Sequence, residues 1–436
     1  MNSVWLVVAL VAAMFSLMGF GIPVAGAMIL VSVIGMICSV DLNYALSIMQ
    51  TLPYNVASNY TFAAIPMFIF MGLIAGSTGI VRDIFQAANL WLASVRGGLY
   101  MATTISAAAF GAINGSTIVG SALFTRVALP EMVKLGYKKG TSAGCIVGAG
   151  TFAAMIPPSI TIVLYGILTA ESIGQLLIAG ILPGVLTGVV YLIGIAGLVR
   201  LRPSWAPPAN RSPHLSDKLR SLGGVLPILC VSAVMVGGIY TGIVSPSAAG
   251  AIGSAAVLLI GLALRRLDWR QTSRNLSEAA KITASLFFVI MGGIAFSRLL
   301  LVTGFVDGLL DGLDALKLEP WMVIGLIILM YLVLGMLMDA ISMMVMTVPI
   351  VHPLVVGLGY DPIWFAIIMV KLIELACMTP PIGINLFAVA AASEGTVSIR
   401  EIYSGVLPFV LLEVAILSFL LLNPGFVTML PHAMLD

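Results

Sequence analysis

The chain has 436 residues, of which 60% are hydrophobic and 9% charged, whereas a soluble domain has roughly a quarter charged residues. That balance excludes a soluble domain and indicates an integral membrane protein. A net charge of +2, with the basic residues in loops rather than in a stripe, excludes a nucleic-acid-binding surface.

A helix needs about 20 mostly apolar residues to cross the hydrocarbon. Runs of that length recur from Val4 to Leu422, which gives room for roughly ten or more crossings. Met1-Asn2-Ser3 lacks the Lys or Arg of a signal peptide, so residues 4–20 are expected to be a retained span. Cys38, Cys145, Cys230 and Cys377 all fall in apolar segments and read as packing residues, not as a disulfide framework.

The first predicted span is Val4–Phe20, and the second follows Pro23 and ends near Val40. A polar segment from Asp41 to Asn59, without Lys or Arg, leads to a third span at Tyr60–Ile80. From Val81 to Gly98, Arg82, Asp83, Gln86, Asn89 and Arg96 alternate at helical spacing with Ile84, Phe85, Ala88, Trp91, Leu92 and Val95. One apolar face of this kind predicts a helix lying along the interface. The stretch Leu99–Leu135 carries Asn114-Gly115-Ser116-Thr117 at its middle. Its halves, about fifteen residues each, reach only partway across the bilayer; two spans are the alternative, but charge favours a re-entrant hairpin. Thr141–Ala170 is a span interrupted at Pro157-Pro158, Ile173–Val199 is another, and Arg200–Arg220 is a linker with Pro203, Pro207, Pro208 and Pro213.

After the linker the order begins again. Pro23 recurs as Pro246, Pro130 as Pro353, Leu135-Gly136-Tyr137 as Leu358-Gly359-Tyr360, and Pro157-Pro158 as Pro380-Pro381, each displaced by 223 positions. Gly180-Ile-Leu-Pro183 returns as Gly405-Val-Leu-Pro408, displaced by 225. Five features in register along the chain indicate an internal duplication. Lys and Arg accumulate in cytoplasmic loops. Leu135-Gly-Tyr is followed by Lys138-Lys139, and its copy by Asp361-Pro362, so the copies are expected to be inverted. Each half then has five crossings. The first hairpin (Arg96, Lys134, Lys138, Lys139), the linker (Arg200, Arg202, Arg211, Lys218, Arg220) and a loop from Arg265 to Lys281 face the cytoplasm. Asp307, Asp311, Asp314 and Glu319 face outward with both termini.

Inverted repeats with broken helices at membrane depth point to a secondary transporter. Hydrocarbon tolerates unwound backbone only where it is buried in protein or lines a wet cavity. Pro157-Pro158 withholds N–H groups, so the Ala154 carbonyl loses its partner, as does that of Cys377 ahead of Pro380-Pro381. Such carbonyls, with hydroxyls from Ser116, Thr117 and Ser159, make oxygen cages suited to Na⁺, while half-helix N-termini offer N–H groups to a carboxylate. Substrate and ions are expected between each hairpin tip and the proline break of its own half. The competing account has the prolines kinking packed helices and the small residues allowing close approach, but it does not require hairpin and break to recur together.

Charges at this depth call for a role. Asp339, at the second tip, is expected to contact an ion or substrate, the alternative being a helix cap. Lys371 and Glu374 stand three apart, so a structural ion pair and transport chemistry are both open. Arg298 is expected to snorkel, Arg126 and His352 to sit at interfaces, and Glu413 to be isolated in the last span. Only His214, His352 and His432 are available for enzyme chemistry, and the chain has no His-Glu-x-x-His, Gly-x-Ser-x-Gly or Gly-Lys-Ser/Thr phosphate loop. An intramembrane enzyme or ATP-driven pump is therefore disfavoured, and a channel would build its filter on an oligomer axis.

At Gly148-Ala-Gly-Thr-Phe-Ala-Ala-Met-Ile-Pro-Pro-Ser159, Leu164-Tyr-Gly through Glu171-Ser-Ile-Gly174 to Gly180-Ile-Leu-Pro-Gly184, and Thr379-Pro-Pro-Ile-Gly-Ile-Asn-Leu-Phe387, the sequence resembles the large membrane subunit of tripartite ATP-independent periplasmic (TRAP) transporters. The resemblance covers essentially the full chain. It implies an all-α protein of the bacterial inner membrane: a Na⁺-driven importer of organic or sialic-acid-like acids working by an elevator motion. Two partners are also implied, a periplasmic substrate-binding protein and a small four-helix membrane subunit. Under it, residues 1–98 are scaffold and first arm helix, 99–200 the first half of the transport domain, 201–222 a cytoplasmic linker, 223–319 scaffold and second arm, and 320–436 the second half. Residues 82–97 and 305–319 suit the arms. The first Na⁺ site would involve Gly111, Asn114, Gly115 and Ser116 with Thr151, Pro157 and Pro158. The second would involve Gly335, Asp339 and Ser342 with Thr379, Pro380 and Gly383, and Thr117, Ser159 and Asn385 would contact substrate. Asn114 and Lys371 depart from the family's commoner pattern. A stand-alone Na⁺-coupled carboxylate carrier, needing no binding protein, is the alternative.

Overall fold

The computed structural model describes residues 3–209 and 214–433, and among them every regular element is helical. Arg211 and Pro213 of the linker, and the side chain of Asp314, lie outside the described residues. The first half comprises α1 (Ser3–Gly19), α2 (Val24–Ser39), α3 (Leu42–Ser58), α4 (Ala64–Ser77), α5 (Ile80–Leu92), α6 (Gly98–Asn114), α7 (Thr117–Lys134), α8 (Lys139–Met155), α9 (Ile160–Thr169), α10 (Ile173–Ala179) and α11 (Ile181–Leu201). A linker helix, α12 (Leu215–Leu222), precedes the second half. That half runs through α13 (Leu226–Tyr240), α14 (Pro246–Ala263), α15 (Trp269–Thr303), α16 (Phe305–Ala315), α17 (Pro320–Leu334), α18 (Ala340–Gly357), α19 (Pro362–Met378), α20 (Ile384–Ala392) and α21 (Ile399–Leu422), and the chain continues into α22 (Pro424–Ala433).

Helix bounds recur with the displacement found in the sequence. The bounds of α7, 117 and 134, return as 340 and 357 in α18, and those of α8, 139 and 155, return as 362 and 378 in α19. Packing between the halves is reciprocal as well. Helix α2 lies on α15 while α4 lies on α14, and α7 lies on α20 while α18 lies on α9.

Two segments differ from the sequence reading. The polar stretch Asp41–Asn59 is the helix α3. Asp41 accepts from the Tyr44 N–H at 2.7 Å, and Ala45, Leu52 and Val56 are buried on one helical face, so a few apolar positions at that spacing outweigh the polar remainder. The expected cytoplasmic loop Arg265–Lys281 is mostly helix. Asp268 and Gln271 form a capping box, and α15 runs unbroken for 35 residues from Trp269, carrying Arg270, Arg274, Glu278 and Lys281 in its first turns. In the first half the corresponding stretch is split between α3 and α4, because the chain leaves the helix at Asn59, whose side chain accepts from the Thr61 N–H.

Among the described residues, six helices are long and apolar enough to cross a membrane, or seven if the bent pair α8 and α9 is one span, and four shorter apolar helices accompany them. The expected number of crossings is reached only by counting these short helices. Residues 173–201 form one 29-residue span through Gly180, as the sequence suggested. Helix α5 buries Ile80, Val81, Ile84 and Phe85 on one side and ends at Leu92, short of the expected Gly98. All four cysteines are free.

The two proline-broken helices are the core of the molecule. Every residue of α8 from Gly140 to Met155 is buried, as is every residue of α19 from Trp364 to Met378. A helix apolar on all sides is stable only when other helices surround it. Helix α8 is enclosed by α6, α7 and α21, and α19 by α17, α18 and α21. Gly144 and Gly405 face each other across the α8–α21 crossing with no room for a Cβ, so the backbones touch.

Candidate functional site

Each hairpin turns on a glycine pressed against the broken helix of its own half. Helix α6 ends at Asn114, and Gly115 takes a left-handed conformation (φ +61°) that reverses the chain. A Cβ on Gly111 would lie 3.0 Å from the Ala153 Cα, and one on Gly335 would lie 3.0 Å from the Cα of Ala376, the counterpart of Ala153. The first tip is tied by Asn114 Nδ2, which donates to the Ser116 carbonyl at 2.7 Å. Ser116 then caps α7, accepting from the Val119 N–H at 3.5 Å. At the second tip, Asp339 caps α18: Oδ2 accepts from the N–H groups of Ile341 at 3.0 Å and Ser342 at 3.2 Å, and Oδ1 from the Ser342 hydroxyl at 2.5 Å. Asp339 is thus a helix cap, and it also lies on the wall of the cavity described below.

At the first break, α8 and α9 meet at 42° across Ile156–Ser159, and both proline pairs are cis. The Ala154 carbonyl, expected to be free for an ion, is not. Ser159 Oγ donates to it at 2.5 Å while accepting from the Ile162 N–H at 3.2 Å, so one hydroxyl replaces the bond that Pro158 withholds and also caps α9. At the second break the residue in the place of Ser159 is Ile382, and a Cβ on Gly383 would lie 2.5 Å from the Cys377 carbonyl oxygen. The second break therefore has no hydroxyl at the position from which Ser159 serves the Ala154 carbonyl.

Both tips line one cavity of about 250 Å³. Its wall includes Asn114, Gly115, Ser116 and Thr117 from the first tip, Asp339 from the second, and Ile160 and Thr161 from the start of α9. Ile69 and Leu73 of α4 and Ile282 and Leu286 of α15 close the apolar side. The first tip meets the half-helix of its own half, at Ile160 and Thr161, and because α9 packs on α18 and α20 on α7, the tip of the second half shares that space. Three helix N-termini, those of α7, α9 and α18, lie on its wall. Each is equivalent to about half a positive charge, an arrangement suited to an anion.

Other predicted residues lie apart from this space. Pro157 lines a different cavity with Ala108, Ala112, Ile181 and Gly184. Thr151 and Thr379 donate their hydroxyls to helix carbonyls, Thr151 to Gly148 at 2.8 Å and Thr379 to Leu375 at 2.5 Å. A hydroxyl that donates its proton keeps lone pairs for a cation, so these positions still fit Na⁺ as cargo. Asn385 is fully buried on α20, against α7, with neither amide atom hydrogen-bonded.

Glu413 is not isolated. Lys371 Nζ lies 2.6 Å from Glu374 Oε2 and 2.8 Å from Glu413 Oε2, and the Tyr191 hydroxyl donates to Glu413 Oε1 at 2.9 Å. His352 accepts or donates at Nδ1 with the Tyr165 hydroxyl at 2.8 Å, and its Nε2 is 3.8 Å from Glu171. It thus joins α18 to the end of α9. Arg126 is exposed. The i,i+3 spacing foretold the Lys371–Glu374 pair, but no periodicity could pair Tyr191 with Glu413 222 positions away, or assign Ile69 and Ile282 to one wall.

A chain of buried broken helices, whose hairpin tips and half-helix ends enclose a polar-tipped cavity, is a multi-pass membrane transport protein rather than an enzyme. It matches the family described as "Tripartite ATP-independent periplasmic transporter, DctM component" over residues 11–426. The chain belongs to that family, the large permease subunits of TRAP transporters in the bacterial inner membrane. It is 31% identical over 343 residues to the C4-dicarboxylate TRAP transporter large permease protein DctM of Pseudomonas aeruginosa, across 78% of this chain and 79% of that one. With the sialic acid TRAP transporter large permease protein SiaM of Vibrio cholerae it shares 25% identity, across 98% of this chain and 99% of that one. Its fold is similar to the crystal structure of the Alcanivorax borkumensis YdaH transporter, with a TM-score of 0.61 at 14% identity, across 89% of this chain and 90% of that one.

Proposed function

We propose that this chain carries a carboxylate substrate across the membrane, driven by Na⁺, as the large membrane subunit of a binding-protein-dependent importer. The observation that carries this reading is the single cavity between the two hairpin tips, on whose wall three helix N-termini lie. Positive helix ends select an anion without a fixed cationic side chain. C4-dicarboxylates and sialic acids, the compounds in the names of the two relatives described above, bear carboxylates. Thr117 and Ser159 stand at two of these helix starts, on α7 and α9, and are assigned to substrate, as is Asn385, whose open amide can be met by a ligand or by a shift of α7.

Na⁺ is assigned to the backbone of the two breaks. One site uses Gly111, Asn114, Gly115 and Ser116 with Thr151, Pro157 and Pro158. The other uses Gly335, Asp339 and Ser342 with Thr379, Pro380 and Gly383. Inversion of the halves rests on Lys138-Lys139 being replaced by Asp361-Pro362 in the copy. The two amphipathic helices α5 and α16 are suited to arms that let the hairpins and broken helices slide against α2, α4, α14 and α15 in an elevator motion. Family membership supports two partners, a small membrane subunit and a periplasmic binding protein.

The test is uptake of labelled C4-dicarboxylates and sialic acid by vesicles containing the chain and both partners. Accumulation is expected only with an inward Na⁺ gradient and added binding protein. Full uptake without the binding protein would favour a stand-alone carrier, and uptake indifferent to Na⁺ would remove the coupling.

A further inference from the structure

Away from the cavity, three ionisable side chains are packed where water does not reach. Lys371, Glu374 and Glu413 are each 1% exposed, and Tyr191, which donates to Glu413, is fully buried. One ammonium faces two carboxylates, so with all three ionised the cluster would hold a net negative charge inside a membrane protein. An uncompensated buried charge is among the most costly arrangements a fold can contain, and such a group takes up a proton instead.

The geometry also says which carboxyl carries it. Glu413 has the Tyr191 hydroxyl on Oε1 and the Lys371 ammonium 2.8 Å from Oε2, though off the hydrogen-bond axis. Glu374 has Lys371 on Oε2 at 2.6 Å and nothing on Oε1. The carboxylate with a partner facing each oxygen is Glu413, and the bare Glu374 Oε1 is the place for a proton.

Helix α19 is packed on every side, and among the described residues its other neighbours do not supply a balancing charge. Helix α8 carries the buried Cys145 and, at its exposed start, Lys139, and α19 itself carries the buried Cys377. Tyr165 of α9 is bonded to His352 of α18, and Tyr331 of α17 to Thr347, while α10 and α20 carry no titratable side chain and His432 of α22 is exposed.

We propose that Lys371, Glu374, Glu413 and Tyr191 form a proton-binding site joining α19, α21 and α11, which holds one proton on the Glu374 carboxyl. The site is separate from the substrate cavity and does not depend on the cargo assigned above.

Infrared absorption of the purified full chain, in a detergent without ester carbonyls, tests it through the carbonyl stretch of un-ionised carboxylic acids at neutral pH. The wild type is expected to show one carboxyl's worth of that band. Glu374→Gln and Glu413→Gln should each abolish it, because either leaves one cation and one carboxylate, and Lys371→Met should double it. Absence of the band in the wild type, or its survival in either Gln variant, would overturn the proposal. Should the variants not fold, the wild-type spectrum alone still decides, since no band means no bound proton.

Discussion

Substituting Gly115 with Ala tests the tip geometry directly. Gly115 turns the first hairpin with φ +61°, and a Cβ there would sit 3.0 Å from Ile160 Cγ1 and 3.1 Å from the Ile160 N. A left-handed backbone costs an alanine about 1–2 kcal/mol, and forcing a methyl against a packed backbone costs about 1–3 kcal/mol more. Gly136 is the control: it has φ +83° and nothing within 4 Å of where a methyl would stand, so Gly136→Ala incurs the first cost alone. The second cost corresponds to roughly a 5- to 150-fold loss of the intact tip, since 1.4 kcal/mol is about tenfold. The assay is initial uptake at subsaturating substrate, beside a thermal unfolding curve for each variant. Gly115→Ala should lose uptake by about that factor beyond Gly136→Ala. Equal uptake in the two variants would refute the claim that the tip is seated on the start of α9.

Ser159→Ala should lower stability by about 1–3 kcal/mol, because it strands the Ala154 carbonyl and uncaps α9 at a fully buried position; an unchanged thermal midpoint would contradict that. Asp339→Asn keeps an N-cap and should hold the thermal midpoint while weakening the Na⁺ stimulation of uptake, whereas Asp339→Ala should in addition lose about 0.5–2 kcal/mol of stability; unchanged Na⁺ stimulation in the Asn variant would take Asp339 out of the Na⁺ site. Reporter fusions should place Lys138 inside and Asp361 outside, and finding both on one side would remove the inversion.

Much of the architecture could be read from periodicity and punctuation. Proline pairs and Leu-Gly-Tyr turns gave the displacement that the helix bounds repeat, since prolines and left-handed glycines fix local conformation whatever packs around them. Less legible were the segments where tertiary packing overrides polarity. Asp41–Asn59 is helical because three apolar residues find a partner, and Arg265–Lys281 because a capping box starts a helix amid charges. The site was legible in its parts and not in its assembly. Asn114, Ser116 and Asp339 were found, but their convergence depends on α9 crossing to α18, which no local signal encodes. The hydroxyl of Ser159 closes the carbonyl that the proline rule left open, because a side chain can supply what the backbone cannot.

The most direct measurement of the central claim is thiol labelling of Thr117→Cys and Ala340→Cys, one on each hairpin tip, by a membrane-impermeant reagent with and without transported acid. If the tips share one carboxylate cavity, the same acid at the same concentration, in the presence of Na⁺, protects both cysteines. Protection of one and not the other, or simultaneous labelling of the two from opposite sides of the membrane, would contradict the account.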